Sequence, residues 1–242
     1  MKIISSPANT IQDGRTDPHR LAALASRSNS ETHYATVRRL HGDGEINLIL
    51  DVGANIGVTV SRYLRQFDSA SVIAFEPIGA TFTQLLARVG SSPRVCCMNL
   101  ALGRTPGSAQ VHLQRYDALN SLYPALNVPD VDFGICQAVE ISTLDQIVAN
   151  NAMDHIDLLK IDTEHLELDV LQGGRQTLQR GGVSFIYAEV TFDPADPRHS
   201  PYFEVSDFLA PFGYEVAGFY EQMYYPNTDR LEFCNALFCR TA

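Results

Sequence analysis

The sequence predicts a doubly wound α/β fold: a seven-stranded, mostly parallel sheet with helices on both faces and an antiparallel C-terminal edge hairpin. Three observations carry this. Residues 48–52 form a continuous apolar run broken only by Asp51, as expected for a parallel strand covered on both faces, and glycines follow at 53 and 57. Strand-like runs then alternate with helix-period segments five times, the pattern of consecutive βα units. Residues 214–220 and 233–240 close the chain as two strands around a turn at 226–229.

The elements follow in order. Residues 1–45 are polar, with helical stretches at 20–25 and 32–40, and are expected to form an arm or cap; residues 46–242 form the main domain. After the first strand, Val60, Leu64 and Phe67 share one side of a helix over 58–67. The second strand ends in Ile73-Ala74-Phe75-Glu76-Pro77, and a helix over 81–89 leads to a third strand at 95–100. An edge strand begins at 111–113. Residues 116–132 form a long irregular segment, a length that tends to be functional or mobile. A short strand at 139–141, a cap at Ser142 and a helix over 143–148 follow. The fourth buried strand is 156–161. A helix runs over 166–178, its later turns weakened by Gly173-Gly174, and the fifth strand, 183–190, ends in Glu189. A proline-bearing loop at 191–201 precedes a helix over 202–209.

The first βαβ unit reads as a nucleotide-cofactor site. Gly53 and Gly57 let the backbone turn tightly near a ligand, and Glu76, at the tip of the second strand, stands where an acid takes both hydroxyls of a ribose. Pyrophosphate-binding turns use G-x-G-x-x-G, and a carboxylate beside them serves an anion poorly. Here the spacing is G-x-x-x-G with Asp51 two residues before it. An acid there suits a ligand carrying ammonium or sulfonium charge and no phosphate, which describes S-adenosylmethionine. A nicotinamide-dependent oxidoreductase would need a third glycine and a Tyr-x-x-x-Lys set, and neither is present.

Composition narrows the partners. With 28 acidic against 18 basic side chains the formal charge is -10, which repels a phosphate backbone, so nucleic acid is not expected as substrate. The pair Arg38 and Arg39 reads as a solvated helix face. Five cysteines without a C-x-x-C pair suggest neither a disulfide framework nor a zinc ribbon and fit reduced thiols in a cytoplasm. No signal-peptide core and no run of transmembrane length is apparent, so stable membrane insertion is not expected. A homo-oligomer is left open.

Five ordered motifs spanning 46–192 resemble the FkbM family of S-adenosylmethionine-dependent O-methyltransferases, a Rossmann-like class I branch. They are Asp51-Val52-Gly53-Ala54-Asn55-Ile56-Gly57, Phe75-Glu76-Pro77, Ala101-Leu102-Gly103, Ser142-Thr143-Leu144-Asp145 and Leu159-Lys160-Ile161-Asp162-Thr163-Glu164, the last followed by Glu167 and Val170-Leu171-Gln172-Gly173. The resemblance implies that Asp51, with the backbone at Gly53 and Asn55, holds the methionine end of S-adenosylmethionine. It implies that Glu76 holds the ribose, and that residues 99–102, with Ala101 and Leu102, flank the adenine. Gly57 and Pro77 complete the expected cofactor set. One departure stands out: His165 occupies the place of the family's glycine after Asp-x-Glu.

Methyl transfer from a sulfonium is an in-line displacement governed by alignment, and an alcohol acceptor also has a proton to lose. The candidate groups at the strand tips are Asp162, Glu164, His165 and Glu189. Asp162 could instead meet the cofactor ammonium, and Glu164 could cap a helix. Asp162, Glu164 and Glu189 also offer the oxygen ligands that magnesium prefers, a role the spacing leaves open. The family points to a hydroxyl of a sugar, such as a deoxysugar like fucose on a bacterial oligosaccharide or lipo-oligosaccharide, or of a polyketide-like product. Tyr202, Phe203, Tyr220, Tyr224 and Tyr225 are candidates to stack on a sugar face or to fill the core. A rival reading is a cofactor-binding scaffold whose Asp-Thr-Glu-His corner has lost its chemistry.

Overall fold

The computed structural model describes residues 31–112, 136–193, 195–196 and 198–241. The expected helix at 20–25 and the segment 116–132 lie outside these residues.

Among the described residues the main sheet has seven strands in the order β3 (Val95–Met98), β2 (Ser71–Phe75), β1 (Leu48–Val52), β7 (Ile156–Ile161), β8 (Val183–Thr191), β11 (Leu231–Arg240) and β10 (Tyr214–Tyr224), with the two-residue β9 (Ser200–Pro201) added beside β8. β1 is central, parallel to β2 on one side and to β7 on the other. β3 and β8 extend the parallel part. β11 runs antiparallel to β8 and to β10, which gives the expected edge hairpin. The apolar runs are explained by two-sided covering: Ile49 and Leu158 enter one core, while Leu50 and Leu159 enter the other.

On the first face lie α1 (His33–His41), α2 (Val58–Gln66) and α3 (Gly79–Val89). Thr32 caps α1 by accepting the Ala35 N–H, and the Tyr220 hydroxyl donates to Thr36 at 2.7 Å, which docks this part of the arm on β10. The second face carries α4 (Leu144–Asn150), α5 (Glu167–Gln172), α6 (Arg175–Gln179) and α7 (Tyr202–Leu209). Among the described residues no helix is long and apolar enough to cross a membrane.

Three expectations need correction. The strand at 111–113 is not an edge of the main sheet: β5 (Gly107–His112) pairs antiparallel with β6 (Cys136–Ser142), and β4 (Ala101–Leu102) joins them in a separate three-stranded sheet. Period-two patterning identifies a strand but not its partner. The cap of α4 is Thr143, whose hydroxyl accepts the Gln146 N–H at 3.2 Å; Ser142 ends β6. The helix over 166–178 is two helices, and the residues between them must be glycine: a Cβ on Gly173 would stand 2.1 Å from the Gly103 carbonyl oxygen and one on Gly174 2.5 Å from Leu144 Cδ2. Asp145 accepts from the Gln176 and Thr177 N–H groups and so starts α6.

Candidate active site

The strand order reverses between β1 and β7, and at their carboxyl ends the chain leaves a cleft, where open α/β sheets place ligands. Its floor is Val52, Gly53 and Asp162; Glu76 to Ile78 line one side and Thr163, Glu164 and Glu189 another.

Asp51 lies behind this floor rather than in it. Its side chain is fully buried, with Oδ1 2.9 Å from Lys160 Nζ. Lys160 also donates to the Gly53 carbonyl at 3.0 Å and reaches Asp162 Oδ2 at 3.3 Å. Burial pushes the Asp51 carboxyl up against the attraction of Lys160. For Lys160 burial opposes the charge, but Asp162 and Asp51 outweigh it and hold the ammonium above its ordinary range. Gly53 has φ +77°, and a Cβ there would lie 1.8 Å from the Asp162 carbonyl oxygen. Its missing side chain thus serves the close passage of the β1 and β7 ends as well as the cleft surface. Gly57 does not line the cleft; it starts α2 at φ +81°, against Leu85.

Glu76 is buried in the wall. One carboxylate oxygen accepts the Asn55 N–H at 3.0 Å and the other the Ile78 N–H at 2.9 Å. Burial raises its pKa while these two N–H groups lower it. A carboxylate has about four acceptor positions, so two remain for further donors. Nearby in the wall, the buried Thr81 hydroxyl has no hydrogen-bond partner among the described residues. Ile78, Leu100, Ala101, Leu102 and Val111 add an apolar slot beside Pro77. Two amides brace this side: Asn99 donates to the Glu76 and Pro77 carbonyls, and Gln137 donates to Pro77 and accepts from the Gly79 N–H.

The opposite end is crowded with acids. Glu164 and His165 both have positive φ, +52° and +88°, so histidine adopts the left-handed backbone that the family's glycine would favour. Fully buried Glu167 accepts from the Thr163 N–H at 2.8 Å, the Thr163 hydroxyl at 3.0 Å and the Ser200 hydroxyl at 2.7 Å, which holds this corner. Glu164 and Glu189 face the cleft; His165 is outside its lining, with Nδ1 3.2 Å from the His199 carbonyl oxygen. Burial, reinforced by Asp162 and Glu167, pushes Glu164 up to about 8. Glu189 is driven well above the carboxylate range by burial, then by Asp162, Glu167 and Glu164.

These residues fit S-adenosylmethionine. The free acceptor positions of Glu76 suit a vicinal diol, the apolar slot and orphaned Thr81 hydroxyl suit an adenine, and the half-exposed Asp162 carboxylate at the floor suits an ammonium. Among the described residues no group of three or more His, Cys, Asp or Glu side chains is arranged to hold a metal ion. Asp162, Glu164 and Glu189 share a cleft without forming a ligand set. Of the candidate aromatics, Tyr202 and Tyr220 are core, Phe203 and Tyr224 are exposed, and none lines the cleft. The described part of the arm, residues 31–45, does not line it either. The sequence reading missed Thr81, Gln137 and His199; the last lies beside Glu189, its Nε2 3.4 Å from Glu189 Oε2.

Residues 51–216 match the methyltransferase FkbM domain family. The chain is 26% identical over 176 residues to the 2-O-methyltransferase NoeI of Sinorhizobium fredii, a match covering 68% of this chain and 72% of that protein. Among solved structures, fibrillarin of Aeropyrum pernix with bound S-adenosylmethionine aligns at TM-score 0.45 and 14% identity, covering 80% of this chain and 66% of its own. A TehB-like methyltransferase of Corynebacterium glutamicum aligns at TM-score 0.43 and 13% identity, with 92% and 95% covered.

Proposed function

The chain belongs to the FkbM methyltransferase family, and on that premise we propose that it transfers a methyl group from S-adenosylmethionine to a hydroxyl of a sugar. The observation that carries this reading is one cleft with acids on two sides: Glu76, with two acceptor positions left by its N–H bonds, on one and Glu164 and Glu189 on the other. Several acceptor oxygens close together suit an acceptor that presents more than one hydroxyl, as a sugar ring does. The relative named as a 2-O-methyltransferase supports an oxygen acceptor.

S-adenosylmethionine would supply an electrophilic methyl on a positively charged sulfur. In this reading Glu76 takes the ribose hydroxyls, Asp162 takes the ammonium, and the backbone at Gly53 and Asn55 shapes the floor. Pro77, Ala101 and Leu102 lie along the adenine. Asp51 acts through Lys160, and Gly57 through the start of α2. Glu189 accepts the acceptor's proton as the new C–O bond forms, and Glu164 orients a neighbouring hydroxyl. His165 shapes the loop.

Calorimetry with S-adenosylmethionine, S-adenosylhomocysteine and NAD, followed by transfer of labelled methyl to a panel of simple methyl glycosides, tests the reading. Binding of the first two ligands and labelling of a glycoside are expected. Binding of NAD alone would overturn the cofactor site, and binding without labelling of any sugar would overturn the acceptor.

A further inference from the structure

We propose that His199 and Asp196 form a positioning row behind Glu189 that keeps its carboxylate available as the base. The inference rests on the reading of Glu189 as proton acceptor and extends it to two residues outside the cleft lining.

The row is set by the smallest strand of the fold. β9 pairs in parallel with β8 so that Ser200 stands opposite Val190, which brings the preceding residues, His199 and Glu189, alongside. The imidazole is buried and stacks on Phe233 at 4.2 Å between ring centroids, 20° from coplanar. Its Nδ1 is 2.6 Å from Asp196 Oδ2 and its Nε2 3.4 Å from Glu189 Oε2. Its own carbonyl oxygen lies 3.2 Å from His165 Nδ1, and the Ser200 hydroxyl next to it donates to Glu167, so the backbone that carries the ring is held on both sides.

Both ring nitrogens thus face carboxylate oxygens. The Nδ1 contact is a hydrogen bond and the Nε2 contact stands at ion-pair distance, so facing both carboxylates calls for a proton at each ring nitrogen. With both on the ring, Glu189 is ionised beside a cation; with one shifted toward Glu189, the carboxylate is blocked. The other charged groups around Glu189 are Asp162, Glu164, Glu167 and Lys160, and three of these four are acids that favour its protonated form. Lys160 is already engaged by Asp51 and Asp162. Arg198, next to His199, is engaged by Glu232 at 2.7 Å. On the β11 side Glu189 is in register with Asn235, beside Cys234. His199 is therefore the group placed to offset the crowding of acids. In the transfer the acceptor O–H bond breaks as oxygen bonds the methyl carbon. The sulfur–carbon pair stays with sulfur, and the proton goes to Glu189.

The test follows the Glu189 side-chain carboxyl carbon by ¹³C NMR across a pH titration of the full chain with S-adenosylhomocysteine present, E189Q identifying the signal. In H199N the titration midpoint should rise by about one pH unit or more. The acid limb of kcat against pH, measured with methyl glycosides, should rise in parallel while KM for S-adenosylmethionine stays within about twofold. H199Q, closer in volume, serves if H199N does not fold. An unmoved Glu189 midpoint overturns the row, as does a loss of kcat equal at every pH. A raised midpoint without methylation of any glycoside supports the row and overturns the sugar acceptor alone.

Discussion

Replacing Lys160 by methionine should destabilise the protein far more than its size suggests, and the loss should be recovered in part by a second substitution. In K160M the carboxylate of Asp51, fully buried, loses the ammonium 2.9 Å away. Breaking a buried pair from one side costs about 3–5 kcal/mol, because an uncompensated charge remains. D51N should cost less, about 1–3 kcal/mol, since Lys160 keeps Asp162 at 3.3 Å and the Gly53 carbonyl at 3.0 Å. The double variant D51N/K160M strands no charge and should fall short of the summed losses by about 2 kcal/mol or more. Urea unfolding at pH 7 reads these differences. Calorimetry with S-adenosylhomocysteine adds the functional half: if Asp51 acts through Lys160, both single variants weaken binding to a similar degree and the double variant is no worse than the weaker single. Additive stability losses would refute the buried pair as a unit. Loss of binding in D51N with K160M unaffected would instead put the Asp51 carboxylate directly on the ligand.

Three further outcomes are expected. His33 is buried against Tyr187, its ring 4.0 Å from that ring, and burial, with the charge of Arg62, lowers its pKa to about 3. The unfolded chain therefore binds the proton first: the contribution of His33 is intact above pH 6.5 and is lost at up to about 1.4 kcal/mol per pH unit as pH falls from there toward 3, so H33F should flatten the stability profile between pH 6.5 and 5. T81V removes a buried hydroxyl that has no partner among the described residues, so the ligand-free protein should keep or slightly gain stability while S-adenosylhomocysteine affinity falls about three- to tenfold; unchanged affinity would remove Thr81 from the site. H165G relieves a left-handed backbone at φ +88° but frees the His199 carbonyl, so unfolding stability should stay within about 1 kcal/mol while kcat falls. A more stable H165G with unchanged kcat would reduce His165 to a neutral loop substitution.

The parts of the fold and site that could be read in the sequence are those whose cause is local. Residues 48–52 announce a two-sided strand because Leu48, Ile49, Leu50 and Val52 are divided between the two apolar layers, and Glu76 announces itself by following such a strand. Elements whose cause lies far along the chain were not legible. The small sheet needs residues 101 and 141 side by side, and nothing in either stretch names the other. Gly53 looked like a ligand-facing glycine, yet the tightest contact it permits is with the carbonyl of residue 162. The sequence reading of Asp51 as a cofactor ligand does not show its ion-pair partner, Lys160, because that residue is over a hundred positions away. His199 had no usable signal at all: the two-residue strand that places it is too short to show a period, and the surrounding prolines read as loop.

The departure from the family pattern at His165 gains a physical reason from these distant contacts. Two consecutive non-glycine residues in the left-handed region cost about 1–2 kcal/mol each, so residues 164 and 165 would relax unless held. Glu167 holds one side through Thr163 and reaches across to Ser200; His165 holds the other through the His199 carbonyl, and the Ser200 hydroxyl also lies 3.3 Å from the His165 carbonyl oxygen. All of these bonds except the one between Glu167 and Thr163 end on the segment that carries His199. A glycine at 165 would satisfy the backbone but would leave the His199 carbonyl without that ring. The corner and the row behind Glu189 are thus one mechanical unit, in which the strained backbone of 164 and 165 and the orientation of the 199 imidazole are fixed by the same few hydrogen bonds.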